Sequence, residues 1–566
     1  MAIDNASARR GSVGALSRFY SAATRLGRPS ALDVAAIAVA VMMGVPVVAV
    51  LAEAAGPSTA TWEHLAATVL PEYVRNTVYL LGGVGIGTAA IGASTAWLVT
   101  SHRFPGRRVL EWALVLPLAM PAYVIAYAYT DALQFSGPVQ TWLRELTGWQ
   151  AREYWFPEIR SPGGAIALFT LTLYPYVYLL ARASFLEQTM STIEASRLLG
   201  ATRWGTFIRV GLPLARAGVV GGVALAMMET LADFGTVAYF AVPTFSTGIY
   251  RAWFSLGDLH AAAQLSVAML VFVVAILAME QLLRGRSRVH DSANRRRSVS
   301  SPLSGASAWC AAIGCSLPVA LGFVAPAAML VRMAFAEGDP QFGPRFVGLV
   351  LNSFALAGAT AIAAVVIALL VAFAARVTRH PLVQFGSKLA GTGYAMPGSV
   401  IAVGILIPLG ALDNAVASWL KSAFGVSAGL LLTGSIVALI YGYNVRFLGA
   451  ALQTINAGMA KITRSMDEAA RSLGHGPLRT LAAVHLPMLR GSVFTAALIV
   501  FVDVMKELPA TFVMRPFNFD TLAVQAYNLA ADERLAEAAT ASLVIVIVGL
   551  LPIVVLSRAI RRTRRE

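Results

Sequence analysis

Four carboxylates stand inside stretches otherwise apolar enough to lie in a lipid bilayer: Glu229, Asp233, Asp503 and Glu507. Within each pair the spacing is four residues, which puts both acids on one face of a helix. The pairs repeat at 274 residues, from 229 to 503 and from 233 to 507, close to half of the 566-residue chain. A carboxylate at the centre of a membrane helix costs ~2.5–3.5 kcal/mol on insertion scales, so four facing lipid would cost on the order of 10 kcal/mol. They must face a wet path, pair with cations, or sit near a surface. Carboxylates are hard oxygen donors, as are tyrosines such as Tyr123, Tyr127, Tyr174, Tyr176, Tyr441 and Tyr443, and such donors suit hard cations. Two readings stay open. In one, Glu229, Asp233, Asp503 and Glu507 line a path and hold a metal ion transiently. In the other they only cap helix ends and pair with Lys506 or Arg515.

Other chemistry is hard to find. The chain has no His-Glu-x-x-His, no Cys-x-x-Cys pair and no nucleophile elbow. Gly200 to Thr206 has the glycine spacing of a phosphate loop but lacks its lysine and follows no strand. The chain therefore reads as no enzyme and as binding no cofactor of its own. If ATP drives it, another chain must bind the nucleotide. Cys310 and Cys315 lie five apart in one apolar run and read as small packing residues.

Composition says what must position the acids. Hydrophobic residues make up 57% of the chain, charged residues 13%, and mean hydropathy is +0.68. Soluble domains carry about 25% charged residues. The fold class is an all-α integral membrane protein. The net charge of +15 comes from basic residues clustered between apolar runs, which orients helices in a membrane and argues against nucleic acid as partner.

About twelve membrane helices follow, near 32–52, 75–100, 109–130, 164–186, 213–235 and 260–283, then 311–335, 349–376, 384–410, 429–452, 487–512 and 537–557. The first reads as a retained helix rather than a cleaved leader. The expected organisation is a tail at 1–30, one six-helix domain at 31–284, a basic linker at 285–308, a second six-helix domain at 309–558, and a basic tail at 559–566. Both tails, the linker and the basic turns then fall on the cytoplasmic side of a bacterial inner membrane. Loops at 131–163, 236–259, 411–428 and 513–536 fall outside. The first of these carries Trp142, Trp149, Tyr154 and Trp155, either as an interfacial belt or as a docking surface.

The clearest repeat is a charged knob. Glu194 to Pro213 reads EASRLLGATRWGTFIRVGLP, and Glu468 to Pro487 reads EAARSLGHGPLRTLAAVHLP. Each predicts a short helix, a glycine-permitted turn, a second short helix, and re-entry into the membrane at the proline. Asn76-Thr77 recurs as Asn352-Ser353, and Met120-Pro121 as Met396-Pro397. With an even number of helices in each half and both knobs on one side, the repeats are parallel.

The doubled Glu-Ala-(Ala/Ser)…Gly…Leu-Pro segment resembles the signature loop of permease subunits in type I ATP-binding-cassette importers. That resemblance covers nearly the whole chain, as two fused permease domains. It implies that Glu194, Ala195, Gly200 and Pro213, with Glu468, Ala469, Gly474 and Pro487, couple the protein to two ATPase subunits that hold ATP and magnesium. A narrower likeness, carried by LADFGTVAYF (231–240), STGIYRAW (246–253) and residues 503–539, is to ferric-iron uptake permeases. It implies ferric iron as cargo, a periplasmic iron-binding protein as partner, and alternating access as mechanism. Related fused permeases carry thiamine, polyamines or phosphonates. A gradient-driven secondary transporter would show similar repeats but has no motor to grip. A membrane scaffold would have no use for four intramembrane acids.

Overall fold

The computed structural model describes residues 30–57, 59–150, 153–187, 195–284, 301–336, 343–378, 380–427 and 429–563. Among them, ten helices are long and apolar enough to cross a membrane, or twelve if two sharply bent pairs each count as one crossing. The first half contains α1 (Ala31–Ala54), α2 (Leu70–Ser101), α3 (Arg107–Ala113), α4 (Ala122–Leu133), α5 (Pro138–Thr147), α6 (Pro162–Glu187), α7 (Arg203–Thr206), α8 (Arg216–Ala232), α9 (Gly235–Tyr239) and α10 (Leu259–Arg284). The second contains α11 (Ala306–Val319), α12 (Ala325–Ala336), α13 (Pro344–Val377), α14 (Pro381–Gly391), α15 (Gly398–Phe424), α16 (Ile436–Met459), α17 (Arg464–Ser472), α18 (Pro477–Thr480), α19 (Leu486–Met505), α20 (Pro509–Met514) and α21 (Leu535–Thr563).

The third crossing of each half departs from expectation. A continuous helix over 109–130 is replaced by α3, a 3-10 turn at Leu116–Ala119, and α4, with a bend of 91°. Pro121 supplies no N–H to continue the ladder, and Met120 before it is extended at φ −101°, ψ 112°. The second half breaks at the matching dipeptide. Met396 is extended at ψ 129°, and α15 starts after Pro397. That helix then runs to Phe424, so most of the loop expected at 411–428 is helical. The loop expected at 131–163 likewise carries α5.

The repeat reaches individual hydrogen bonds. Asn76 Nδ2 donates to Pro243 O at 2.9 Å, and Asn352 Nδ2 donates to Asp520 O at 3.2 Å. Each asparagine ties the second crossing of its half to the segment beyond the fifth. The first helices are exchanged. α1 packs along α14 and α15 of the other half, where Tyr441 Oη donates to Met42 O. The segment α11–α12 returns the exchange. Tyr129 Oη of α4 donates to Leu321 O at 2.7 Å, and Arg332 pairs with Asp131 at 3.2 Å. One buried cluster accordingly runs through both halves, from Leu80, Tyr123 and Phe169 to Tyr443, Val500 and Ala526. Cys315 is buried and Cys310 exposed.

A two-residue parallel bridge joins His102–Arg103, at the end of α2, to Ser301–Pro302, and Leu303 N donates to Arg103 O at 2.9 Å. The chain entering the second half is thus fixed on the same face as the turn between α2 and α3.

Candidate functional site

Glu229 lies in the last turns of α8, but Asp233 lies beyond its end, and Glu507 lies beyond the end of α19. This corrects the expectation that each acid pair shares one continuous helix face. The reason is local. Asp233 Oδ1 accepts from Thr236 N at 2.8 Å and caps α9. Glu507 accepts from Ala510 N at 2.9 Å and Thr511 N at 3.0 Å and caps α20. A carboxylate that satisfies the free N–H groups of a following helix stops the preceding one.

All four acids nonetheless reach one place. Glu229, Asp233, Asp503 and Glu507 line a cavity of about 110 Å³ between the halves, with Tyr123, Tyr176, Tyr394, Arg446 and Lys506. The break of the first half ends there, since Met120 and Pro121 form part of the wall, and Tyr394 reaches it from the break of the second. In the second half both acids carry a cation. Arg446 Nη1 lies 2.9 Å from Glu507 Oε1, and Lys506 Nζ lies 2.9 Å from Asp503 Oδ1. In the first half they do not. Glu229 Oε1 accepts from Tyr394 Oη at 2.8 Å, and neither Glu229 nor Asp233 forms an ion pair among the described residues. With acids and bases all ionised, the lining carries four negative and two positive charges. Among the described residues, no three His, Cys, Asp or Glu side chains are placed to hold a metal ion. The expected transient metal role therefore has no preformed cage behind it, because each acid is engaged separately. Arg515 pairs with Asp520 rather than with the acids.

Of the other tyrosines singled out, Tyr127 and Tyr174 are buried with no hydrogen-bond partner for their hydroxyls among the described residues, and Tyr443 pairs with Thr511. Sequence reasoning missed Arg446 and Tyr394. Arg446 had a signal, a lone cation within an apolar run. Tyr394 had none, because its role depends on a contact to Glu229 in the other half.

The knobs are built alike. Glu194 lies outside the described residues. Residues 195–198, Ala195 among them, are helical, and Ala469 lies in α17 with Glu468. Gly200 (φ +83°) and Gly474 (φ +77°) close them in the left-handed conformation that glycine adopts freely. Ala201 N returns to Ser196 O and His475 N to Ala470 O, each at 3.0 Å, the crossed bonding of a Schellman end. Leu198, Leu199, Trp204, Leu473 and Leu478 are left exposed around them.

Past each knob comes a wide π-turn, Phe207–Gly211 and Leu481–His485, again 274 residues apart. It precedes Pro213 and Pro487 and makes room for a residue that cannot donate to the ladder. Re-entry then differs. The second half runs straight from Pro477 to Met505, whereas the first bends by 75° between Leu214 and Arg216, two residues beyond the expected proline.

Different residues seat the two knobs. His102 is packed near the first, and burial, reinforced by the charges of Arg197, Arg203 and Arg107, pushes its pKa down to about 4. At the second, Asp467 accepts from Arg376 Nε at 2.9 Å and lies 2.6 Å from His485 Nε2. Burial opposes ionisation of Asp467, but bonds and charge from His485 and Arg376 hold its carboxyl below the usual range.

Residues 86–288 match the model of the family described as binding-protein-dependent transport system inner membrane component. The chain is 25% identical over 496 residues to a Fe(3+)-transport system permease protein, FbpB 2, of Haemophilus influenzae, covering 86% of this chain and 90% of that one. It is 24% identical over 489 residues to a ferric transport system permease protein, FbpB, of Actinobacillus pleuropneumoniae, covering 81% and 66%. It is 31% identical over 156 residues to the sulfate transport system permease protein CysT of Escherichia coli, covering 28% and 53%.

Proposed function

Because this chain is a permease of the binding-protein-dependent ATP-binding-cassette importers, a multi-pass inner membrane protein with no catalytic role of its own, we propose that its cargo is ferric iron. The observation that carries the reading is the charge of the cavity at the junction of the halves. Glu229 and Asp233 bring carboxylate oxygens that no ion pair claims among the described residues, beside the tyrosine oxygens of Tyr123, Tyr176 and Tyr394. Such a lining favours a hard cation and repels an oxyanion such as sulfate. Its volume of about 110 Å³ suits an ion better than an organic molecule, since pockets for drug-sized ligands run to roughly 300–1,000 Å³. Relatives named for ferric transport align over most of the chain, while the sulfate relative aligns over 28% of it.

In this reading the two fused domains, 31–284 and 309–558, alternate between packings that open the cavity to one side and then the other. The knobs around Glu194, Ala195 and Gly200, and around Glu468, Ala469 and Gly474, face the cytoplasm with the termini and the 285–308 linker. There each grips one of two ATPase subunits that bind ATP and magnesium. A periplasmic iron-binding protein docks on the opposite face. The exposed leucines of the knobs support this, because apolar side chains in a charged, water-facing segment are the usual core of a docking site. Glu229, Asp233, Asp503 and Glu507 line the route, and the ion moves past them without a resident cage.

Proteoliposomes holding the permease and its ATPase test the cargo. With ferric iron, sulfate and molybdate each supplied on a matching binding protein, ATP-dependent accumulation of iron alone is expected. Accumulation of either oxyanion without iron overturns the proposal.

A further inference from the structure

The two knobs sit on chemically different joints. At the second, one carboxylate holds three elements together. Asp467, in the first turn of α17, accepts on Oδ2 from Arg376 Nε at 2.9 Å, and its Oδ1 lies 2.6 Å from His485 Nε2. Arg376 closes α13 and also donates to Met459 O at 2.8 Å, at the end of α16, and to Ile462 O at 2.7 Å, just beyond it. His485 stands in the π-turn at the base of α19, fully buried, with its ring edge-on to Phe373 at 5.2 Å.

At the equivalent place in the first half, 274 or 276 residues earlier, these residues are Gly211, Trp97 and Thr100 in place of His485, Phe373 and Arg376. The Trp97 ring fills the space of the missing imidazole. A Cβ on Gly211 would lie 2.7 Å from it. Phe185 and Phe207 pack around Trp97 at 5.2 and 5.5 Å. An aromatic ring fills the first joint, and a carboxylate held by an imidazole and a guanidinium fills the second.

We propose that Asp467, with His485 and Arg376, is the joint through which the second knob drives α19. The first knob has aromatic contacts at the corresponding place. α19 has 20 residues, a rod of about 30 Å at 1.5 Å per residue. Its base is held by His485, and Asp503 near its far end lines the central cavity. A push on α17 is therefore delivered to the cavity by one rigid helix. Both oxygens of Asp467 are committed, one to α13 and one to the base of α19, so a turn of α17 pulls on both. These are positioning residues: they touch neither cargo nor nucleotide. The proposal rests on the reading that the knobs engage the ATPase, but not on the identity of the cargo.

The test uses the full permease–ATPase complex in lipid nanodiscs, with Cys310 and Cys315 replaced by serine. Spin labels at W155C and F517C, both exposed in the parent, report the ATP-dependent change in distance between the two halves. ATP hydrolysis is measured on the same sample. Asp467→Asn and His485→Phe should hydrolyse ATP within about twofold of the parent while the distance change falls below half. His485→Gln, which keeps a donor, should restore it. A full distance change in Asp467→Asn and His485→Phe overturns the joint. So does a parallel loss of hydrolysis and of assembled complex, which would mark a merely structural role. Glu468→Ala is the control for the underlying reading. If it alters neither hydrolysis nor distance, the knob is not the grip, and that result is distinct from failure of the joint.

Discussion

Removing the cation from the most buried ion pair of the cavity gives the sharpest single test of how the halves are held. Arg446 lies 2.9 Å from Glu507, with about 10% and 1% of their side chains exposed. At that distance and an effective dielectric constant of about 20, the gross attraction is about 6 kcal/mol, and desolvating both ions takes back much of it. Arg446→Met, which keeps the bulk, leaves a buried carboxylate without its counter-ion. Breaking such a pair costs ~3–5 kcal/mol. Glu507 keeps its bonds from Ala510 N, Thr511 N and Thr511 Oγ1, so the lower end of that range is expected. Glu507→Gln in the same background removes the stranded charge and should recover a large part of the loss, a coupling of roughly 1–3 kcal/mol in a double-mutant cycle. Thermal inactivation of the detergent-solubilised protein, followed by size-exclusion chromatography, measures all four corners. If Arg446→Met costs no more than about 1 kcal/mol, or if the double variant is worse than the sum of the singles, the pair is not what closes the cavity.

Four further outcomes are expected. Glu194→Ala with Glu468→Ala should leave the protein inserted while separating ATP hydrolysis from transport, read as moles of cargo per mole of ATP; an unchanged ratio refutes the coupling role. Glu229→Gln with Asp503→Asn should reduce uptake at least tenfold with the ATPase complex still assembled by pull-down, and parental uptake would exclude these acids from the path. At Gly474 nothing lies within 4 Å of an added Cβ, so only the φ of +77° resists substitution. Gly474→Val should therefore weaken ATPase binding by about 1–2 kcal/mol and Gly474→Asn by clearly less, measured by titration. Protonation of His102, held down to about 4, is favoured in the unfolded chain, whose ordinary value is about 6.5. Stability should thus fall as pH drops from about 6.5 towards 4, and a His102→Asn variant should show a flatter melting profile over that window.

Much of the architecture was readable from the residues, because the repeat is written into polar positions that a membrane helix does not carry idly. The 274-residue offset of Glu229 and Asp503 led to the cavity that both line, and Asn76 and Asn352 make matching bonds. What escaped has a common cause. A proline in an apolar run tells of a missing N–H but not whether neighbours will hold the helix straight, so the breaks at Pro121 and Pro397 read as continuous helix. The four-residue spacing of Glu229 and Asp233 looked like a helix face, yet Asp233 Oδ1 accepts from the N–H groups of Thr236 and Val237 in α9, and Oδ2 from the Thr236 hydroxyl. Tyr394, Arg376 and His485 took their roles from partners that sequence neighbours cannot reveal. The π-turns have no residue signature of their own; only their common distance from Pro213 and Pro487 marks them afterwards.

The crossed placement of α1 and of α11–α12 makes the molecule a handclasp rather than two beads on a string. Each leading segment bridges the halves: α1 lies along α14 and α15 while still packing on α10, and α12 reaches α4 while still packing on α21. A cut in the linker would leave the clasp closed, whereas either half made alone would present an empty groove and a half-gripped finger to the lipid. During synthesis α1 meets α10 first and completes its packing only when α14 and α15, more than three hundred residues later, arrive.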